Sequence, residues 1–573
     1  MSSSAKNTAL LLASDEQSLD TDYSDRRLAL STEGGLQYAT KGEQVLGALR
    51  NGIRMSLGGA PEIALIDGLA GFRGGYSSAA VHVAGVDEAD LVKYDGEHIY
   101  ALVARPQPGG LIRNVLKVAS TNLENAGIQV TSEFALEGER SSLPLLYQVR
   151  APGGNTEYVV AVSQSYQDWL QSPDRTVLQL LDVRDPCNVS QAWKIELDGW
   201  LRASRKMGDM LYLVSSYRPR LSGLKLPADA LATREANERR ILGASAADLL
   251  PCYSVDGGVR VPLVTTRDCV LPANLSSRDA YADLVVITAI DLNARRVTDV
   301  NYLSTNVNGV YVSLDSLYVG GEGYAADGTV TTVLHKFGLN RGDITYRASG
   351  TVSGRMNWLN TSCFMDEFRG DLRIVTSRSD VYSLSVLRET PDRRLALMAR
   401  LPIGKPGEEV HAVRFFGERA YVVTANVSDP LHAIDLSRPV DPFIAGDLDI
   451  PGLSTYLHSM IGPTGAQLLL SARKVRTGIK VELFDVTDLA QPRSLGAQVF
   501  GQSGEVTHQP LLPTEPTNRY RIALPIDLFD SGSRGGIHLL EIDDLTAATP
   551  RLTLASTFVG NGDRFIGTLW DRL

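Results

Sequence analysis

From about residue 96 onward, short apolar runs alternate with turn residues. "GEHIYALV" begins at Gly96, "GDMLYLVSS" at Gly208, "GDLRIVTS" at Gly370 and "GERAYVVTA" at Gly417. In each, a turn residue leads into β-branched and aromatic positions, the pattern of a tight turn entering a strand. Weaker copies begin at Thr156, Asp315, Gly465 and Asn518. A second module follows each copy, as in "VLQLLDVRD" (177–185), "LHAIDLSRP" (431–439) and "VELFDVTDL" (481–489). It reads as an apolar strand, an acidic residue and a turn. A further strand usually comes next, as in "PFIAGDLDI" (442–450).

The repeating positions are Tyr100, Val159, Tyr212, Tyr318, Ile374, Tyr421, Leu469 and Ile522, spaced 47 to 59 residues apart except for one gap of 106. A period of this length with about four strands per unit predicts a β-propeller. One small antiparallel sheet cannot bury both faces, whereas sheets stacked round an axis can. The expected fold is all-β, with about eight four-stranded blades and seven as the alternative. The long gap predicts an insertion over 218–283. Its stretch "PADALATREANERRILGASAADLL" (227–250) favours helix, with Pro227 suited to a first turn. Residues 1–80 are polar and Gly-clustered, with one helix candidate at 42–53, and read as a tail or strap on a propeller spanning 81–573. The closing "DRFIGTLWDRL" (563–573) is expected to latch the ring with one more strand.

Composition narrows the function classes. A net charge of −10 and a pI of about 5.4 disfavour nucleic acid as a partner. No apolar run reaches the roughly 18 to 20 residues that span a bilayer. The apolar run 9–13 is shorter than the roughly 7 to 15 residues of a signal-peptide core. The start therefore reads either as that of a cytosolic chain or as one remade after a leader was removed. Among the four cysteines, Cys187, Cys252, Cys269 and Cys363, no spacing fits a zinc site. Cys252 and Cys269 share one loop-like insertion, and a disulfide between them is expected. Such a bond would remove roughly 3 kcal/mol of unfolded-state entropy.

Three long stretches resemble one known family. They are "VAGVDEADLVKYDGEHIY" (83–100), "GRMNWLNTSCFMDEFRGDLRIVTS" (354–377) and "EEVHAVRFFGERAYVVTANVSDPLHAIDLSRPVDPFIAGDLDIPGLSTYLH" (408–458). They are similar to secreted bacterial and archaeal proteins with a carboxy-terminal β-propeller, distantly related to WD40 propellers. The resemblance runs from about His82 to Leu573. It implies a propeller and a secreted, periplasmic or cell-surface location, and it implies no particular reaction. At "VTHQPLLP" (506–513) the acid that members often carry before the histidine is missing.

No G-x-S-x-G elbow, H-E-x-x-H, P-loop or EF-hand loop occurs. The acids Asp435, Asp485 and Asp543 end strands and suit turn capping. A cluster of acids, Asp87, Glu88 and Asp90, introduces the first inner strand and is expected at one mouth of the central channel. Counting back from the repeat positions places Arg202, His411 and His458 near the same end. Asp366, Glu367 and His508 come close to it. The best candidates for a metal or ligand site are Asp90, Asp366, His411 and His458, with a divalent cation as the implied cofactor. The plain alternative is a polar lining of a wet channel. The expected function is a monomeric binding or scaffold module whose loops recognise a protein, glycan or small molecule. The alternative is a metal-dependent or hydrolytic enzyme at the channel mouth.

Overall fold

The computed structural model describes residues 27–28 and 35–57, resumes at residue 83 and reaches residue 559. Its longest interruptions are at 138–144, 166–173, 507–519, 529–535 and 544–550. Pro227, His508 and the closing segment 563–573 lie outside the described residues.

Among the described residues, eight sheets are built on the same four-strand antiparallel meander. In chain order they cover 92–135, 145–198, 200–303, 309–353, 355–403, 409–449, 453–500 and 504–559. The turn between the first two strands carries the repeat glycine because the backbone there is left-handed. Gly96, Gly208, Gly370, Gly417 and Gly465 have φ of 107°, 55°, 85°, 57° and 82°. A Cβ is disfavoured at such angles, and glycine is not. The repeat positions that follow lie on the second strand, which is sandwiched between its neighbours. Tyr100, Tyr212, Tyr318 and Tyr421 are all at most 2% exposed.

Hydrophobic clusters join successive sheets. One links sheets 1 and 2 through Leu116 and Val159, and another links sheets 2 and 3 through Leu178 and Leu213. Others join sheets 3 and 4, sheets 4 to 6, sheets 6 and 7, and sheets 7 and 8. Sheets 2 to 7 thus bury both faces against their neighbours, as the stacked architecture requires.

The fourth strand of every sheet carries one extra residue. These bulges are Thr131, Ala192, Thr298, Arg347, Met398, Ala445, Leu495 and Ala555. A bulge bends and twists its strand locally. Here the bend brings the strand onto the last turn of the next sheet. Thr131 and Ser132 donate hydroxyl bonds to the Pro186 carbonyl, Thr298 donates to Gly342, and the Ser349 N–H donates to Arg393. Gly446, just after the sixth bulge, packs so closely that a Cβ would lie 2.3 Å from the Leu489 carbonyl oxygen. At the equivalent Gly496 the nearest atom would be 4.0 Å away. Gly446→Ala is therefore expected to destabilise by about 1–3 kcal/mol, while Gly496→Ala stays near neutral. Parallel thermal melts of the two variants check this, and equal melting temperatures would refute the clasp.

The insertion leaves sheet 3 after Met210–Tyr217 and returns at Leu284–Asp291. The helix expected over 227–250 appears as α2, Leu231–Leu242, and a one-turn helix, Ala246–Leu249, parted by Gly243. Its strand Cys252–Val255 extends the outer edge of sheet 2, and Cys269–Pro272 extends that of sheet 3. Residues Leu36–Tyr38 pair onto the latter, and α1, Gly42–Leu57, packs against α2. At that contact Arg54 reaches Glu238 at 2.6 Å, both nearly buried. Ordered strand additions thus cover two edges that would otherwise be open to pairing.

The disulfide expected between Cys252 and Cys269 is not formed in this structure. The reason is topological. The two cysteines start strands that join different sheets, and Cys269 is fully buried, where desolvation pushes its thiol above the ordinary range. Among the described residues, no helix is long and apolar enough to cross a membrane.

Candidate functional site

The acids before the first inner strand have a structural task. Asp87–Glu88 pairs antiparallel with the first strand of sheet 3, setting Glu88 opposite Arg205 and Asp87 opposite Lys206. Asp90 exchanges both backbone bonds with Leu146, at 3.2 and 2.7 Å, on the first strand of sheet 2. Val92–Tyr94 is itself the first strand of sheet 1. The segment 87–94 therefore crosses the inner strands of three sheets and ties them together.

Asp87, Glu88 and Lys93 are paired within that crossing. The buried Lys93 ammonium lies 2.8 Å from Asp87 and donates to the Glu88 carbonyl at 2.9 Å. Glu88 lies 3.3 Å from Arg205. One Asp90 oxygen accepts the Leu91 N–H at 2.7 Å, while the other is buried with no hydrogen-bond partner among the described residues. Desolvation raises the Asp90 pKa to about 7, although Lys93 and the backbone N–H groups pull it down. Burial lowers the Lys206 pKa, with Asp87 opposing.

The four candidates read from the sequence occupy different levels. Relative to Tyr100, Ile374, Tyr421 and Leu469 on the second strands, Asp90 and His411 lie two to three residues toward one face. His458, opposite Leu470, lies one residue that way. Asp366, opposite Arg373, lies one residue the other way. At about 3.3 Å per residue, Asp366 and His411 are offset by roughly 11 Å along the strands. His411 is a bulge residue between Val410 and Ala412, as is Arg202 between Leu201 and Ala203. Asp366 is paired with Arg373, whose guanidinium also reaches the Gly417 carbonyl and sits 5.1 Å from the rings of Phe368 and Phe415. Among the described residues, no three His, Cys, Asp or Glu side chains group as a metal ion would need.

Glu367 instead joins two sheets. It lies 3.0 Å from the Lys336 ammonium, accepts from the hydroxyls of Ser313 and Ser316, and its N–H donates to the Tyr311 hydroxyl at 2.9 Å. Beside it, the first strand of sheet 5 is split by the one-turn helix Thr361–Phe364. Trp358 from this insert covers Gly309 and Gly320, where a Cβ would lie 2.7 and 2.8 Å from its ring.

A cavity of about 340 Å³ opens off the axis, where sheets 4, 5 and 6 meet. Its walls come from the middle turns of sheets 4 and 5 and from the links into sheets 5 and 6. Arg355, Arg378, Tyr382, Glu408 and Glu409 line it, with Ser377, Ser379 and Thr329. Rigid strands hold every one of these loops, as a binding site requires. The Glu408 carboxylate is oriented from behind. Its Oε2 accepts from the Lys405 N–H and the Thr424 hydroxyl, each at 3.0 Å. Thr424 bonds His432 Nε2 at 3.2 Å, and His432 Nδ1 bonds Asp447 at 2.6 Å. Thr424, His432 and Asp447 have the connectivity of a nucleophile, base and orienter. The Thr424 side chain is fully buried and its hydroxyl donates to Glu408, so no substrate can reach it. The sequence reading missed these residues. The signal available was the glycine-flanked links, Gly354 and Gly407, ahead of charged residues at 355 and 408–409.

Repeated meanders with buried shared faces and loop-built cavities define a β-propeller. The chain belongs to the beta propeller domain family, whose model matches residues 76–550. The propeller is thus the body of this chain and not a carboxy-terminal appendage. An uncharacterised protein of Methanocaldococcus jannaschii is 38% identical over 155 residues, 26% of this chain and 23% of that one. An uncharacterised protein of Archaeoglobus fulgidus is 34% identical over 133 residues, 22% of this chain and 20% of that one. The aligned part therefore spans only about a fifth to a quarter of these relatives. The β-propeller domain of the Trilobed protease from Pyrococcus furiosus superposes with a TM-score of 0.31 at 6% identity, over 71% of this chain and 97% of that one. Similarity at that level carries no argument about a ligand.

Proposed function

We propose that this propeller is a secreted or surface-exposed binding module whose ligand seat is the cavity between sheets 4, 5 and 6. One observation carries the reading. Five charged or aromatic side chains from sheets 5 and 6 and the link between them converge on a single cavity, and one of them, Glu408, is held by a chain of hydrogen bonds running back through its sheet. Fixed polar groups on a rigid scaffold favour recognition because little side-chain entropy is lost on binding. The axis offers less. Its inner strands are crossed by 87–94, in which Asp87, Glu88 and Lys93 already have ion-pair partners.

Crystals of the full chain soaked with a set of small polar fragments test the seat. Fragments are expected against Tyr382 and Glu408. Occupancy confined to other surfaces would refute the reading. Location is tested by fractionating cells of the source organism. Recovery from the envelope or medium supports the module, and recovery only from cytosol contradicts it.

A further inference from the structure

We infer that the ligand is a short, neutral oligosaccharide, an assignment that rests on the cavity being the ligand seat. Three features of the cavity point to this class. First, its lining is nearly all hydrogen-bonding groups of both kinds. Guanidinium donors face carboxylate acceptors, and hydroxyls of Ser377, Ser379 and Thr329 can act either way. An occupant must therefore be polar around its edge and must both donate and accept.

Second, the charges balance. Arg355 and Arg378 stand with Glu408 and Glu409. Arg355 is already engaged by Glu322 at 2.7 Å, and Arg378 donates to Ser353 at 3.3 Å. An anionic ligand would have to displace the first of these contacts and approach two carboxylates. A cationic ligand would face two guanidinium groups. A neutral polyol meets neither penalty.

Third, the half-buried ring of Tyr382 forms part of one wall. A pyranose presents an apolar face of C–H groups to such a ring while its hydroxyls point outward to the polar edge. Glu408 completes the arrangement. Its two bonds from the protein both fall on Oε2. Among the described residues neither of these bonds occupies Oε1, which is the oxygen assigned to a ligand hydroxyl, and bonds to a charged acceptor are the stronger kind. The volume, about 340 Å³, falls at the lower end of the range for small-molecule sites. It suits one to two sugar rings, with further rings lying on the open surface.

The test is ligand-observed saturation-transfer NMR on the full chain. The probes are neutral disaccharides of glucose, galactose, mannose and N-acetylglucosamine, with a uronic-acid disaccharide and dipeptides as charged counter-probes. At least one neutral disaccharide is expected to bind. Glu408→Gln and Tyr382→Ala should each weaken it at least about tenfold. Arg378→Ala, at an exposed position that cannot perturb the core, should weaken it several-fold. If no neutral disaccharide binds, the inference is overturned. If a charged probe binds and is lost in the cavity variants, the saccharide class is wrong but the seat stands. If a neutral disaccharide binds equally to wild type and to all three variants, with melting temperatures unchanged, the seat itself is wrong.

Discussion

Asp90→Asn is expected to stabilise the protein at pH 8 by on the order of 4 kcal/mol and to change little at pH 4. The Asp90 carboxyl is held in a buried crossing that raises its pKa from 3.8 to about 7. Below pH 3.8 both the folded and unfolded chains carry the proton, and the group contributes nothing. As pH rises toward 7, the unfolded chain ionises while the folded chain retains the proton. The folded state binds more protons across that window, so stability falls with rising pH and levels off above 7. Asparagine keeps an oxygen for the Leu91 and Val92 N–H groups and cannot ionise. Other acids act in the opposite sense. Hydrogen bonds from Thr487 and Arg493 lower the Asp485 pKa despite burial, so that group stabilises above its unfolded pKa and loses this as pH falls. The readout is therefore the difference between variant and wild type in denaturant melts at pH 4, 6 and 8. A difference independent of pH would show that Asp90 is ionised in the fold.

A loss of about 3 kcal/mol is expected for Glu367→Ala. Lys336 and Glu367 have side chains only 8% and 9% exposed, and their contact spans sheets 4 and 5. Removing the carboxylate leaves a buried ammonium with Glu389, at 3.2 Å, as its remaining ion-pair partner. It also strands the hydroxyls of Ser313 and Ser316. Pairing Glu367→Met with Lys336→Met removes both charges and is expected to recover part of the loss. Urea unfolding followed by tryptophan fluorescence gives the comparison, with Trp358 beside the junction. A single variant as stable as wild type would mean that the pair is open to water.

These two sites show where sequence legibility ends. The repeat was readable because a left-handed turn demands glycine and a sandwiched strand demands β-branched or aromatic residues, as at Gly208 and Tyr212. Sheet composition and the insertion between Tyr217 and Leu284 follow from the same signal. The crossing of 87–94 was not readable. Strand pairing between residues as distant as Glu88 and Arg205 leaves no local pattern. The level of Asp366 was misjudged because it stands only eight residues before Ile374, whereas Asp90 and His411 stand ten before Tyr100 and Tyr421, and that offset sets it opposite Arg373 at the other level. Bulges at Arg202 and His411 shift the same count by one residue, enough to turn a side chain to the other face. Proximity in the sequence suggested the Cys252–Cys269 bond, but each strand found its partner on a different sheet. The cavity was hidden for a related reason, since Arg355, Arg378 and Glu408 come from three separate links and turns.

The central claim is that recognition occurs off the axis, at the meeting of sheets 4, 5 and 6. Hydrogen–deuterium exchange of the full chain, with and without a saturating neutral disaccharide, tests it most directly. The account predicts slowed exchange in peptides covering 376–382 and 405–409 and no change in the peptide covering 87–94. Protection of 87–94 with the cavity peptides unchanged would place the ligand on the axis and contradict the account.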